Sequence, residues 1–262
     1  MRWLFVMLLA LAACRTSTQA APPPTASWEV PIVLEPGQPP MVDVTVGGKT
    51  ARFIIDTTAA DTALAGWFAK SLAPGPLPLS LGPDTMRTAA WPTLPSDGDL
   101  EARGIGGVLA PHRLLERGAV ALDFPRRRMV GLAGQQMVWL RWLDERSPKS
   151  VLESLVRVGP RDAGLFVKSR VGDGREVITR LATTAQQSSY AAALFDEALL
   201  AGGPVLKGLH VRLGDSDFPL DTLITPSVDR AEGQLGLDAL ATRVLLMPML
   251  EGQALWVMTP LE

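Results

Sequence analysis

One segment of this chain occurs twice, and that repeat constrains the fold more than any other property of the sequence. From Val42 the chain reads V-D-V-T-V-G-G-K-T-A-R-F-I-I-D-T-T-A-A-D-T-A-L, and from Val167 it reads V-K-S-R-V-G-D-G-R-E-V-I-T-R-L-A-T-T-A-Q-Q-S-S-Y. Each copy holds an alternating strand, a Gly-rich turn, a second strand and a T-T-A step. The turns are Gly47-Gly48-Lys49 and Gly172-Asp173-Gly174-Arg175. Both are hairpin signals, because Gly accepts a positive φ without a Cβ clash. The second copy carries one extra turn residue.

The downstream segments echo as well. Gly104-Ile105-Gly106-Gly107-Val108-Leu109 precedes a strand-like Ala119 to Phe124, and Gly233-Gln234-Leu235-Gly236-Leu237-Asp238 precedes Val244 to Met247. Short helices are predicted at Leu64 to Ser71 and Ala191 to Leu200. A third is predicted from Pro148, with Ser147 as cap, joining the halves after Trp139 and Trp142. The pattern predicts a mostly β chain of two duplicated lobes, 28–134 and 160–262, with 135–159 between them.

The start of the chain has a different composition. Met1-Arg2 is followed by an apolar run from Trp3 to Ala13, which fits a signal-peptide core and is too short to span a bilayer. It ends in Leu11-Ala12-Ala13-Cys14, which resembles the lipobox of bacterial lipoproteins. That resemblance implies removal of 1–13 as a signal peptide, a diacylglycerol on the Cys14 sulfur and acylation of the new amino group, palmitate among the acyl chains. The bilayer is then a partner through Cys14. The alternative is a plain secretory signal with an incidental Cys. Several chains, at about 0.8 kcal/mol per buried methylene, anchor stably where one does not. Arg15, where an Asp commonly means inner-membrane retention, implies by the same resemblance the outer membrane of the cell envelope. Residues 14–27, with Pro22-Pro23-Pro24, read as a semi-extended tether reaching about 40 Å.

Cys14 is the only cysteine among 262 residues, so no disulfide staples the exported part. The net charge is −2, which supplies no nucleic-acid footprint. His112 and His210 have no ligand-spaced partners, so they read as surface or packing residues and no metal is expected. There is no G-x-S-x-G elbow and no G-x-G-x-x-G, so no cofactor is implied. Arg126-Arg127-Arg128 reads as a solvated loop end, with membrane attraction second. Asp61 reads as a helix N-cap or surface acid. Trp91 suits a flap or cleft aromatic and plain packing equally.

Phe53-Ile54-Ile55-Asp56-Thr57-Thr58-Ala59 resembles the signature of the pepsin and retropepsin superfamily of aspartic peptidases, an apolar strand running into Asp-Thr/Ser-Gly-Ala. The later apolar-Gly step matches loosely at Ile105-Gly106 or around Val108. The resemblance implies two β-barrel lobes, each supplying one Asp to a pair that shares a proton, because like charges about 3 Å apart cannot both ionise. One carboxylate then activates water while the other donates to the carbonyl oxygen.

Two departures stand out. Aligning the T-T-A steps puts Ala182 where the second Asp belongs. Nothing adjacent replaces it, since Gln186, Gln187, Ser188 and Ser189 carry no carboxylate, and Asp238 falls in the later step as a surface or cap acid. Thr58 occupies the family's Gly position, and a β-branched residue there disfavours unusual backbone angles. Thr57 and Thr183 match the family's hydroxyl position, which the resemblance makes a brace across the lobes. Asp56 reads either as a turn Asp after a buried strand or as a former catalytic position, the duplication favouring the latter. The expectation is a degenerate aspartic-peptidase fold binding a peptide or protein between its lobes. The alternatives are an active peptidase that pairs Asp56 across a dimer and a structural envelope lipoprotein.

Overall fold

The computed structural model describes residues 28–114, 118–132, 150–153, 164–214, 216–248 and 255–258. Cys14, the expected leader and tether, Trp139, Trp142 and the expected Ser147-Pro148 cap lie outside them. The first half contains β1 (Trp28–Pro31), β2 (Met41–Val46), β3 (Lys49–Ile55), β4 (Ala63–Leu64), β5 (Leu77–Leu81), β6 (Asp84–Ala89), β7 (Ile105–Leu109), β8 (Ala119–Asp123) and β9 (Arg128–Leu132). Beyond it follow β10 (Ser150–Glu153), β11 (Leu165–Val171), β12 (Arg175–Leu181), β13 (Ser189–Ala191) and β14 (Val205–Leu213). The last four are β15 (Ser216–Thr225), β16 (Gly233–Leu235), β17 (Val244–Pro248) and β18 (Leu255–Met258).

The duplicated hairpins form as their alternation and Gly turns predict. β2 pairs antiparallel with β3 and β11 with β12, with Gly47, Gly48, Gly172 and Gly174 all at positive φ. Val42, Val44, Val46, Phe53 and Ile55 are fully buried on one side, as are Val167 and Leu181 on the other. Each such side chain contributes about 1.5–3 kcal/mol.

The apolar-Gly steps become strands as well. β7 lies parallel to β3, pairing Ile55 with Leu109, and β16 lies parallel to β12, pairing Leu181 with Leu235. The glycines there are steric requirements. A Cβ on Gly107 would sit 2.2 Å from the Ala63 carbonyl oxygen, and one on Gly233 would sit 2.0 Å from the Tyr190 ring.

Three sheets result. The first half builds a six-stranded sheet ordered β4-β7-β3-β2-β5-β6, and the second builds a closed barrel, β11-β12-β16-β13-β15-β14. A third sheet, β1-β9-β8-β17-β18-β10, is shared. Its centre is the antiparallel pairing of the two closing strands, with Leu122 opposite Leu245. The chain is therefore mostly β with short helices, in two β lobes joined by a common sheet. Every residue of β8 is buried, which explains its nearly unbroken apolar run.

The helices depart from the local signals. The first spans Gly66–Lys70 and is capped from a distance, its Gly66 and Trp67 amides donating to the Asp97 carboxylate. The Ala191 to Leu200 expectation splits into a 3-10 turn, Ala192–Leu194, and a helix, Glu197–Leu200. Phe195 between them is extended. A helix at Leu237–Leu240 falls inside the apolar-Gly step, where the sequence predicts none.

Two expectations need correction. Where Ser147-Pro148 announced a helix, Ser150–Glu153 is a strand paired with β18, because a sheet edge outweighs a local cap signal. The arginine turn is only partly solvated: Asp123, fully buried, accepts from Arg126 at 3.3 Å and Arg128 at 3.1 Å. Arg128 also reaches Glu29 at 3.1 Å. Asp61 is the surface acid of its two readings, its side chain 40% exposed, and Ala65 takes the N-cap place.

Candidate functional site

The two T-T-A steps fold into equivalent turns, 126 residues apart. In each, the strand delivers a residue whose amide bonds to the neighbouring parallel strand. Asp56 N–H donates to Leu109 O at 2.9 Å, and Ala182 N–H donates to Leu235 O at 2.9 Å. Each turn then closes on itself, Ala59 N–H to Asp56 O and Ala185 N–H to Ala182 O. The backbone frame is duplicated; the side chain at its head is not.

Thr57 and Thr183 meet between these turns, both fully buried. Thr57 N–H donates to Thr183 Oγ1 at 3.1 Å, and Thr183 N–H donates to Thr57 Oγ1 at 3.2 Å. Thr57 Oγ1–H donates to Leu181 O and Thr183 Oγ1–H to Ile55 O, each at 2.7 Å. The two hydroxyl oxygens are 3.4 Å apart. Each hydroxyl has one proton, already given to a carbonyl, so that contact is a consequence of the other four bonds. The crossed network satisfies two amides and two carbonyls that burial removes from water.

Asp56 is half-buried. Its Oδ1 accepts from both the amide and the hydroxyl of Thr58, each at 2.7 Å. Thr58 is accommodated without a positive φ; among the described residues only Arg127 and Arg230 adopt one without being Gly. The β-branched residue therefore adds a donor to the carboxylate. Ala182, at the equivalent place, is buried and ends in a methyl group.

The start of the second lobe also touches this site. Leu165 N–H donates to Thr57 O at 3.0 Å, and a Cβ on Gly164, whose φ is +107°, would approach Thr58 Cα to 3.0 Å. The repeat places Pro40 opposite Leu165, and Pro has no N–H to return the bond. Gly164-Leu165 carries no motif, so sequence reasoning had no handle on it.

Further equivalences appear behind the turns. Ala110 N–H donates to Thr62 Oγ1 at 3.1 Å, and its counterpart Gly236 N–H donates to Ser188 Oγ at 3.0 Å. Asp238 accepts from Ser188 N–H at 2.9 Å and Ser188 Oγ–H at 2.7 Å, so this acid braces its own lobe's turn. His112 stands at the matching place in the first lobe. Its Nδ1 is buried without a hydrogen-bond partner among the described residues, and its pKa is pushed down to about 4 by burial first and Arg113 second, against a smaller pull from Asp61. His210 is exposed on β14, its Nδ1 3.0 Å from Asp217. Trp91 Nε1–H donates to Leu77 O at 2.9 Å, and the ring lies 5.4 Å from the Arg87 guanidinium carbon.

No protein-family model matches this sequence, and no curated protein matches it. Among solved structures, the chain is similar to the aspartic proteinase from Irpex lacteus, with a TM-score of 0.58 and 11% identity. The match covers 89% of this chain and 97% of that one. The chain has the fold of a pepsin-like aspartic proteinase.

Proposed function

We propose that this protein is a lipid-anchored, catalytically degenerate relative of the aspartic peptidases that binds an extended peptide or a protein segment between its lobes. The observation carrying this reading is Ala182. The turn around it keeps its amide bond to Leu235 and the crossed threonine bonds, yet the position that mirrors Asp56 bears a methyl group. Water attack on an amide needs a base and an acid together, and one chain supplies one carboxylate here. A frame kept intact around a missing acid suits binding, where strand edges pair with a peptide backbone.

Cys14 supplies the anchor in this reading, at the cell envelope and on the outer membrane. Metabolic labelling with palmitate tests that part: label is incorporated by the native chain and lost in Cys14→Ser. Peptide cleavage tests the rest, scanned from about pH 3 to 7, where a shared-proton pair titrates. No cleavage by the native chain or Asp56→Asn, together with saturable peptide binding, is the expected outcome. Cleavage that disappears in Asp56→Asn overturns the degenerate reading in favour of an acid supplied by a second chain. Absence of both cleavage and binding leaves a structural envelope protein.

A further inference from the structure

The repeat places Asp61 and Gln187 at one position, five residues past Asp56 and Ala182 respectively. Both side chains leave their turn and reach the hairpin that follows it. Asp61 Oδ1 meets Arg87 Nη1 on β6 at 3.2 Å, and Gln187 Nε2–H donates to Asp221 O on β15 at 3.1 Å. The first hairpin is β5–β6, whose β6 is the outermost strand of its sheet. The second is the long β14–β15 ribbon.

The two ties differ in kind. The first is an ion pair with both side chains partly in solvent, 37% and 40% exposed. The same guanidinium lies over the Trp91 ring, and Trp91 is hydrogen-bonded to Leu77 on β5, so both strands of the hairpin are engaged. The second tie is neutral, amide to carbonyl, and Asp221 also accepts the Gly208 amide within its own ribbon.

We infer that the side chain at this repeat position fastens each lobe's hairpin to its turn, and that the Asp61–Arg87 fastening is an ionic-strength-sensitive latch on the β5–β6 hairpin. The latch does not depend on the cleft reading above. An exposed ion pair weakens as salt rises, since the screening length falls from about 10 Å at 0.1 M to about 3 Å at 1 M. A neutral hydrogen bond has no such dependence.

Hydrogen exchange of the full-length chain, resolved to residues 84–89 and 216–225, separates the two ties. Raising salt from about 0.05 to about 0.5 M, or Asp61→Asn at low salt, speeds exchange in 84–89 about two- to fivefold, the range expected for an exposed pair. Residues 216–225 stay unchanged. The charge-swapped double variant, Asp61→Arg with Arg87→Asp, restores slow exchange at low salt. Unchanged exchange in 84–89 with Asp61→Asn overturns the latch, and so does an equal rise in both hairpins, which reports general loosening. Peptide affinity is measured separately, so failure of the cleft reading leaves these rates as they are.

Discussion

The turn at Asp56 and the turn at Ala182 share a backbone and its hydroxyls, and differ in the charged and amide side chains around it. The first carries a carboxylate loaded by Thr58, an ionic tie through Asp61 and a buried histidine, His112, behind it. The second carries a methyl group, a neutral tie through Gln187 and a carboxylate, Asp238, that holds Ser188. What is common to both is what the strands and the crossed threonines need. The crossed threonines and their burial are present in the frame both where its head is an acid and where it is a methyl group.

Removing the shared part is expected to have the largest effect. Thr57→Val keeps shape but strands the Leu181 carbonyl and the Thr183 amide in a buried place, at about 1–3 kcal/mol for each group. A loss of about 4 kcal/mol in denaturant unfolding is expected, with Thr183→Val similar. The two variants strand different groups, the Leu181 carbonyl and Thr183 amide in one and the Ile55 carbonyl and Thr57 amide in the other, so the double variant is expected to lose about the sum. A loss below about 1 kcal/mol in either single variant would show that the turns do not brace each other.

His112 sharpens the comparison with Asp238. Its folded pKa of about 4 lies below the ordinary 6.5, so the unfolded chain takes up the proton first as pH falls. Its neutral form contributes stability fully above pH 6.5, and that is lost as pH falls toward 4, by about 3 kcal/mol at most. Unfolding measured from pH 7 to 4 should therefore be less steep in His112→Leu. Equal slopes would mean that the ring protonates in place.

Ala182→Asp makes the two turns alike at their heads. It places a carboxyl at a buried position beside the Thr57–Thr183 network, and is expected to cost about 2–3 kcal/mol at pH 7. The cost should shrink toward pH 4, where a proton neutralises the added acid. A cost independent of pH would show that the new carboxyl escapes to water. Asp56→Asn should have the smallest effect, below about 1 kcal/mol, since an amide oxygen still accepts from Thr58. A larger loss would make Asp56 a structural residue of the frame.

The repeat, both hairpins and the matched threonine positions were readable from local patterns, because alternation and Gly turns act over a few residues. The short helices were read less well. Asp97 caps the Gly66–Lys70 helix from 31 residues away, and no spacing rule encodes so distant a cap. Asp238 reads from the sequence as a surface or cap acid and is exposed, but its bonds to Ser188 depend on a contact 50 residues apart in the chain.

The sequence by itself determined that the chain is two copies of one β unit, that one copy has an acid where the other has Ala182, and that hydroxyls stand beside both. Those properties follow from residue order. Only the tertiary structure decided that the closing strands pair as Leu122 with Leu245, that Thr57 and Thr183 exchange their bonds, and that Ser150–Glu153 joins a sheet edge. Each of these joins segments about a hundred residues or more apart, and which partners meet is settled by burying both lobes' apolar faces together, a quantity of the whole chain.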